Sequence, residues 1–346
     1  MSTSMRTSDI TLVFQGAFKP YTTRDGESCF DNIRQTRRTL PGARIILSTW
    51  EGTEIPAALP VDAVVFSADP GGLAPLKLDD DKANNINRQI LSTRAGLDAV
   101  TTSHAVKLRT DCWLSHAGFL DFHAEQRKRD AGRERLLACS FFTLDPTVFE
   151  RVAFHLSDWF HFGPTDLLRA YWAAPPMSAE QARFYESHRH VPDSSIFERK
   201  FRTRFAAEQH LCTHFASTRG YACPQYLNDG APEVLRDYHR FLAREVMLLD
   251  PWQIGLQFRK YDWVGASLFQ CMNNLMHLDW LRISGQHSES AGDEARLAAM
   301  IAERSRKKEI MRLAFRHSRR AHGFLFDPSG KGARLRHAAH RILRLL

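Results

Sequence analysis

Short apolar runs rich in β-branched residues alternate with helix-length segments through the first 150 residues, and this alternation restricts the chain to an α/β fold. Ile10–Gln15 (ITLVFQ) ends at Gly16, residues 43–49 (ARIILST) form a second run, and Ala63–Ser67 (AVVFS) stops before the turn signal Asp69-Pro70-Gly71-Gly72. Residues 105–108 and 136–144 read as further strands. Between them lie a helical window with Phe30, Ile33, Arg34, Arg37 and Arg38, closed by Pro41-Gly42, and a helix N-capped by Asn84 with Ile86, Ile90, Leu91, Leu97 and Val100 on one face. Strands joined by helices of this length give a mostly parallel sheet flanked by helices. Ligands of such sheets collect beyond the carboxyl ends of the strands. Four polar clusters fall there: Gln15-Gly16, Ser48-Thr49, residues 67–69 and 109–111.

The remainder divides by composition. Residues 173–179 (AAPPMSA) break the pattern, residues 180–280 read as mostly helical and aromatic, and 284–294 (SGQHSESAGDE) reads as a linker. The expected organisation is an α/β core over 8–172, a mostly helical region over 173–283 packed on it, a linker at 284–294 and a basic helical tail over 295–346. From Arg304 onward there are thirteen Lys or Arg against two acids, an excess of eleven; the whole chain carries +8, so residues 1–303 are slightly acidic. Six cysteines without a C-x-x-C pair read as reduced thiols, and no run reaches the roughly 18 apolar residues a membrane span requires. A cytoplasmic location is expected. Residues 332–346 (GARLRHAAHRILRLL) set apolar positions opposite arginines, which suits either an anionic membrane surface, with the protein peripheral on its inner face, or a helix packed on the main body.

Two segments could carry phosphate chemistry. Asn84-Asn85-Ile86-Asn87-Arg88 places three amides and a guanidinium in the first turn of a helix at the ligand edge; the dipole and the arginine fork suit a diphosphate, and the same residues also suit ordinary capping. Arg109-Thr110-Asp111 follows a strand. Its aspartate could coordinate a hard divalent cation while Arg109 offsets phosphate charge, or the two could pair with each other. There is no G-x-S-x-G, no Walker-type loop and no G-x-G-x-x-G, which removes the usual support for hydrolase, kinase and dinucleotide oxidoreductase readings. His188-Arg189-His190 with Asp193 is the best histidine cluster and a weak zinc signal.

In combination, ITLVFQG, ARIILSTW, VVFSADPG, NNINRQILST, VKLRTD and SDWFHFG resemble the WavE-type lipopolysaccharide synthesis proteins over residues 8–260. The resemblance implies a GT-A-like (Rossmann-like) fold and a bacterial glycosyltransferase moving a sugar from a nucleotide-sugar donor to a glycan or lipid-linked glycan acceptor of lipopolysaccharide or capsule. It places Gln15, Gly16 and Asp69 near the base and ribose, and Asn85, Asn87, Arg88 and Arg109 near the diphosphate. Asp111 matches the last carboxylate of the Asp-x-Asp signature and is the ligand a magnesium or manganese cofactor would use, although Arg109 stands where the first aspartate would be.

Inverting transfer needs a carboxylate within hydrogen-bond reach of the acceptor hydroxyl. Candidates are Asp158, favoured because it precedes the strand-like WFHF, then Glu208 and Asp166, each of which could instead cap a helix or pair with an arginine. Trp159, Phe160, Phe162, Tyr171 and Trp172 could line an acceptor site or fill the core. Sugar-phosphate transfer on the same fold is an alternative reaction. A basic nucleic-acid-binding protein is the alternative class, and it leaves the strand-end clusters unexplained.

Overall fold

The computed structural model describes residues 5–19, 28–192, 194–259, 262–285 and 291–318. Seven strands form one sheet: β1 Ile10–Gln15, β2 Arg44–Trp50, β3 Ala63–Ser67, β4 His104–Arg109, β6 Leu136–Cys139, β7 Phe160–Pro164 and β8 Val246–Leu249. A two-stranded sheet pairs β5, Trp113–Leu114, with β9, Leu256–Gln257. The helices are α1 Cys29–Thr39, α2 Ile86–Asp98, α3 Phe119–Arg129, α4 Thr165–Tyr171, α5 Ala179–Ala182, α6 Phe184–Ser187 and α7 Ala207–Thr218, followed by α8 Pro232–Glu245, α9 Pro251–Ile254, α10 Asp262–Ala266, α11 Leu268–Asn273, α12 His277–Ser284 and α13 Ala291–Ser318.

The strand order in the large sheet is β3-β2-β1-β4-β7-β6-β8. All pairings are parallel except those of β7, which runs antiparallel to both β4 and β6. The mostly parallel sheet flanked by helices that the alternation predicts is the fold that forms. Central strands read as continuous apolar runs because both faces are covered: Leu12, Val13 and Phe14 of β1 and Ile45, Ile46 and Leu47 of β2 are fully buried. Each such side chain contributes about 1.5–3 kcal/mol through burial.

Helix α2 lies close over β1 and β2 because its contact point is glycine. A Cβ on Gly96 would sit 2.4 Å from Val13 Cγ1 and 3.0 Å from the Ser48 Cβ, while Ser48 Oγ donates to the Ser92 carbonyl at 2.6 Å. The close approach fixes where the start of α2 arrives, at the carboxyl edge of the sheet.

Three expectations change. The strand at 136–144 ends at Cys139, because Ser140 Oγ turns to Asp250 (2.7 Å) and Phe142 adopts φ +63°. The five aromatic rings around residue 159 are all core, each at most 3% exposed, so none of them lines an open acceptor site. The stretch read as a linker at 284–294 ends α12 at Ser284 and is already helical from Ala291, with 286–290 outside the described residues.

Helix α13 is docked on the core. Lys308 Nζ reaches Asp145 Oδ2 at 2.8 Å and Asp279 Oδ2 at 2.9 Å, Arg304 Nη2 reaches Asp279 at 2.7 Å, and Met311 packs with Val148 and Met272. These cations are therefore committed internally, not to a phosphate backbone. The amphipathic segment 332–346 lies outside the described residues. Among the described residues no helix is long and apolar enough to cross a membrane, and the six cysteines are unbridged.

Candidate functional site

The strand order reverses between β1 and β4: β2 and β3 lie to one side, β4 and its neighbours to the other. Connections leaving in opposite directions open a crevice at the carboxyl edge. A cleft of about 460 Å³ occupies this point. Gln15, Gly16, Ala17 and Lys19 line it after β1, Cys29 at the start of α1, Trp50 at the end of β2, Asp69 after β3, Asn85, Arg88 and Gln89 around the start of α2, and Arg109, Thr110 and Asp111 after β4.

The loops after β1 and β4 are knitted together. Gly16 N–H donates to the Ser48 carbonyl (3.1 Å), Thr110 N–H to Gln15 O (3.1 Å), Thr110 Oγ1 to Ala17 O (2.9 Å) and Asn32 Nδ2 to Thr110 O (2.9 Å). Gly16 holds φ +123°, and a Cβ there would meet Thr110 Oγ1 at 3.3 Å, so glycine is required at this crossing.

Two bidentate arginine–aspartate pairs dominate the walls. Arg88 donates through Nε and Nη2 to the two oxygens of Asp69, both at 2.7 Å, and through Nη1 to Asn85 Oδ1 at 2.8 Å. The Arg88 hydrogen bond holds the Asp69 carboxyl below its usual range. Arg109 donates through Nε (2.9 Å) and Nη2 (2.7 Å) to Asp111. Burial alone would lower the Arg109 pKa, but Asp111 and Asp158 outweigh it and raise it further. Arg88 is thus paired with Asp69 as Arg109 is with Asp111. Lys19 is exposed at the mouth, and no ion pair engages it among the described residues.

Residues 10–315 match the WavE lipopolysaccharide synthesis family. The chain belongs to that family. No curated protein sequence matches it. Among solved structures, a cytidylyltransferase from Leptospira borgpetersenii is 13% identical over 66% of this chain and 94% of its own, with a TM-score of 0.31. HddC from Yersinia pseudotuberculosis is 11% identical over 46% and 78%, with a TM-score of 0.27, and the glycosyltransferase GlyE of Streptococcus pneumoniae is 10% identical over 63% and 44%, with a TM-score of 0.29. Likenesses this distant carry no argument about chemistry.

Of the expected donor-side residues in this WavE chain, Gln15, Gly16, Asp69, Asn85, Arg88, Arg109 and Asp111 meet in the cleft. Asn87 does not: its side chain donates to Met177 O (3.0 Å) and accepts from Met177 N–H (2.7 Å), anchoring the segment that the helical region begins with. Asp166 is also excluded. Pro164 pairs with His104, about 17 Å from Arg109 along β4, and Asp166 follows it beyond that opposite end of the strand, 93% exposed and paired with Arg169.

Asp158 is 1% exposed beneath Arg109, 3.7 Å from Nη1 and 3.8 Å from Lys107 Nζ, and neither of its oxygens accepts a hydrogen bond. Burial pulls the Lys107 pKa down to about 8 against the pull of Asp158. A carboxylate so enclosed cannot meet an acceptor hydroxyl; it holds cations. Glu208 is more open and lies 3.3 Å from His155 Nε2, while His155 Nδ1–H donates to Phe142 O at 2.8 Å. Burial raises the Glu208 pKa, but His155 and, further off, Arg109 outweigh it and hold it at about 2. Burial likewise opposes the His155 charge, and Glu208 prevails, raising its pKa. Phe142 (φ +63°) and Phe154 (φ +56°) flank this pair in left-handed backbone that bulky residues avoid, and such strain clusters at functional sites.

Lys19, Cys29, Trp50 and Gln89 escaped the sequence reading. Trp50 and Lys19 follow strand ends and could have been found by position; Cys29 and Gln89 arrive from helices and carried no signal. The histidines at 188 and 190 stack on Phe184 and Tyr185, with ring centroids 4.0 and 3.6 Å apart, and Asp193 lies outside the described residues.

Proposed function

We propose that this protein is a glycosyltransferase of lipopolysaccharide synthesis, moving a sugar from a nucleotide-activated donor to a hydroxyl of a growing glycan or lipid-linked glycan. The observation that carries this reading is the convergence of four strand-end segments on one polar cleft at the switch point of the sheet, in a chain of a lipopolysaccharide synthesis family. The half-buried Trp50 offers a flat face for the base, with Gln15, Gly16 and Asp69 beside it for polar contacts. Lys19 and Arg109 face the diphosphate. The side chains lining the cleft carry three cations, Lys19, Arg88 and Arg109, against Asp69 and Asp111. A diphosphate brings more negative charge than that balance offsets, which favours a divalent cation as co-ligand.

Asp111 is the residue that would hold magnesium or manganese. Arg109 now covers both of its oxygens, and Asp158, 3.7 Å from the same guanidinium and without a hydrogen bond, provides a second partner for Arg109. Asp111 lines the cleft and its carboxylate is the ligand type that magnesium and manganese take, so the residue fits the ion. When bound it would stabilise charge on the departing diphosphate. In the transfer, the bond from the anomeric carbon to the diphosphate oxygen breaks, a bond to the acceptor oxygen forms, and the acceptor proton passes to a carboxylate, for which Glu208 is the accessible candidate.

A thermal-shift screen of the full-length protein with UDP, GDP, CDP, CMP and TDP, with and without manganese, tests the reading. Stabilisation by one base class supports it, and no shift with any of the five overturns it.

A further inference from the structure

We infer that His104, His123 and Glu134 form a binding site for a borderline transition-metal ion of the zinc type, at the end of the sheet opposite the cleft. The three residues come from separate parts of the chain: His104 opens β4, His123 lies on α3, and Glu134 precedes β6. Their ligating atoms all lie within 4.8 Å of one another. His123 Nε2 is 2.8 Å from Glu134 Oε2, and His104 Nε2 is 3.9 Å from Glu134 Oε1.

His104 supplies the observation that points to a ligand. Its Nδ1 is engaged by Ser103 Oγ at 3.0 Å, while Nε2 is shielded from solvent and has no hydrogen-bond partner. A buried ring nitrogen without a partner is costly. A metal ion between the three groups would satisfy it. Both rings are already oriented by packing: the Phe162 ring stacks on His104 at 5.8 Å between centroids and meets His123 edge-on at 5.1 Å. The second oxygen of Glu134 accepts from Arg127 Nε at 2.8 Å, the kind of outer contact that orients a carboxylate ligand while its partner oxygen faces the metal.

Two imidazoles and one carboxylate select zinc over magnesium or calcium, which take oxygen ligands. Bonds of about 2.0–2.2 Å would set the ligand atoms about 3.4 Å apart in tetrahedral geometry, so the His123–Glu134 contact of 2.8 Å would open by about 0.6 Å and the wider separations, within 4.8 Å, would close by up to about 1.4 Å, which rotation of the partly exposed Glu134 and His104 can supply. The fourth position would be water. Because Arg109 lies about 17 Å away along β4, this ion would not be the one at the diphosphate. It would clamp β4, α3 and the approach to β6.

The test uses full-length protein stripped with a chelator, titrated with zinc by calorimetry and with cobalt by visible absorption. Stoichiometric saturable binding, a cobalt d–d spectrum of low coordination number and a zinc-dependent rise in Tm are expected. His104→Gln and Glu134→Gln, each shown folded by far-UV circular dichroism, should weaken zinc binding by more than about 100-fold, beyond the 10–100-fold typical of outer-contact loss. No saturable binding to the wild type, or binding unchanged in both folded variants, would overturn the assignment and leave a hydrogen-bonded ion pair.

Discussion

Replacing Lys308 by Met tests whether α13 is part of the folded core. The Lys308 ammonium is 2.8 Å from Asp145 and 2.9 Å from Asp279, and all three side chains are at most 5% exposed. Methionine can follow the same path through the core but brings no charge. Removing one partner of a buried pair costs about 3–5 kcal/mol. The lower end applies here, because Asp279 keeps Arg304 at 2.7 Å and Asp145 keeps two hydrogen bonds from Thr147, at 2.6 and 3.0 Å. The carboxyl of Asp145 gives a second figure. Burial raises its pKa, but Lys308 and Thr147 outweigh it and hold it at about 2 instead of 3.8, a difference on the order of 2 kcal/mol. Because the folded pKa is depressed, this stabilisation is present above about pH 4 and disappears as the pH falls through about 2. Urea denaturation at pH 7 should show the variant less stable by about 2–3 kcal/mol, with the gap to wild type narrowing as the pH falls below about 4. A loss under about 0.5 kcal/mol at pH 7, the level of an ordinary surface change, or a gap that ignores pH, would refute the buried-pair reasoning.

Other perturbations address the cleft. Gly96→Val should destabilise by about 1–3 kcal/mol, because a Cβ there overlaps Val13, and by lifting α2 it should also weaken nucleotide binding; thermal denaturation and calorimetry read the two effects. Arg109→Lys keeps the charge and loses the fork, so nucleotide diphosphate affinity should fall by about tenfold or more with the fold intact, and unchanged affinity would remove Arg109 from the diphosphate site. Asp111→Ala should abolish turnover, measured by release of the nucleoside diphosphate. Glu208→Gln should lower transfer by about 10²–10⁴-fold while nucleotide-induced Tm shifts persist; full activity would exclude it as the base.

Legibility of the site followed chain direction. Gln15, Asp69, Arg109 and Asp111 were readable because in a parallel sheet every strand end faces the same edge, so position along the chain predicts position in space. That rule fails for β7. Its antiparallel pairing sends Asp166 to the far end, and no local pattern distinguishes a strand that runs backward. Asn87 and Asp158 failed for another reason: Asn87 lies between cleft residues in sequence and Asp158 just before a strand, and only packing sets Asn87 against Met177 and encloses Asp158 between Lys107 and Arg109.

The sequence by itself determined the α/β class, the first four strands and the edge at which their polar ends gather, because hydrophobic periodicity and turn chemistry are local and repeat at short range. The tertiary structure alone decided which side chains face one another: the bidentate pairs of Arg88 with Asp69 and Arg109 with Asp111, the docking of a basic helix through Lys308, and the meeting of His104, His123 and Glu134. Charges choose partners across a gap of a few ångströms, and that gap is set by strand order and helix packing, which no window of sequence contains.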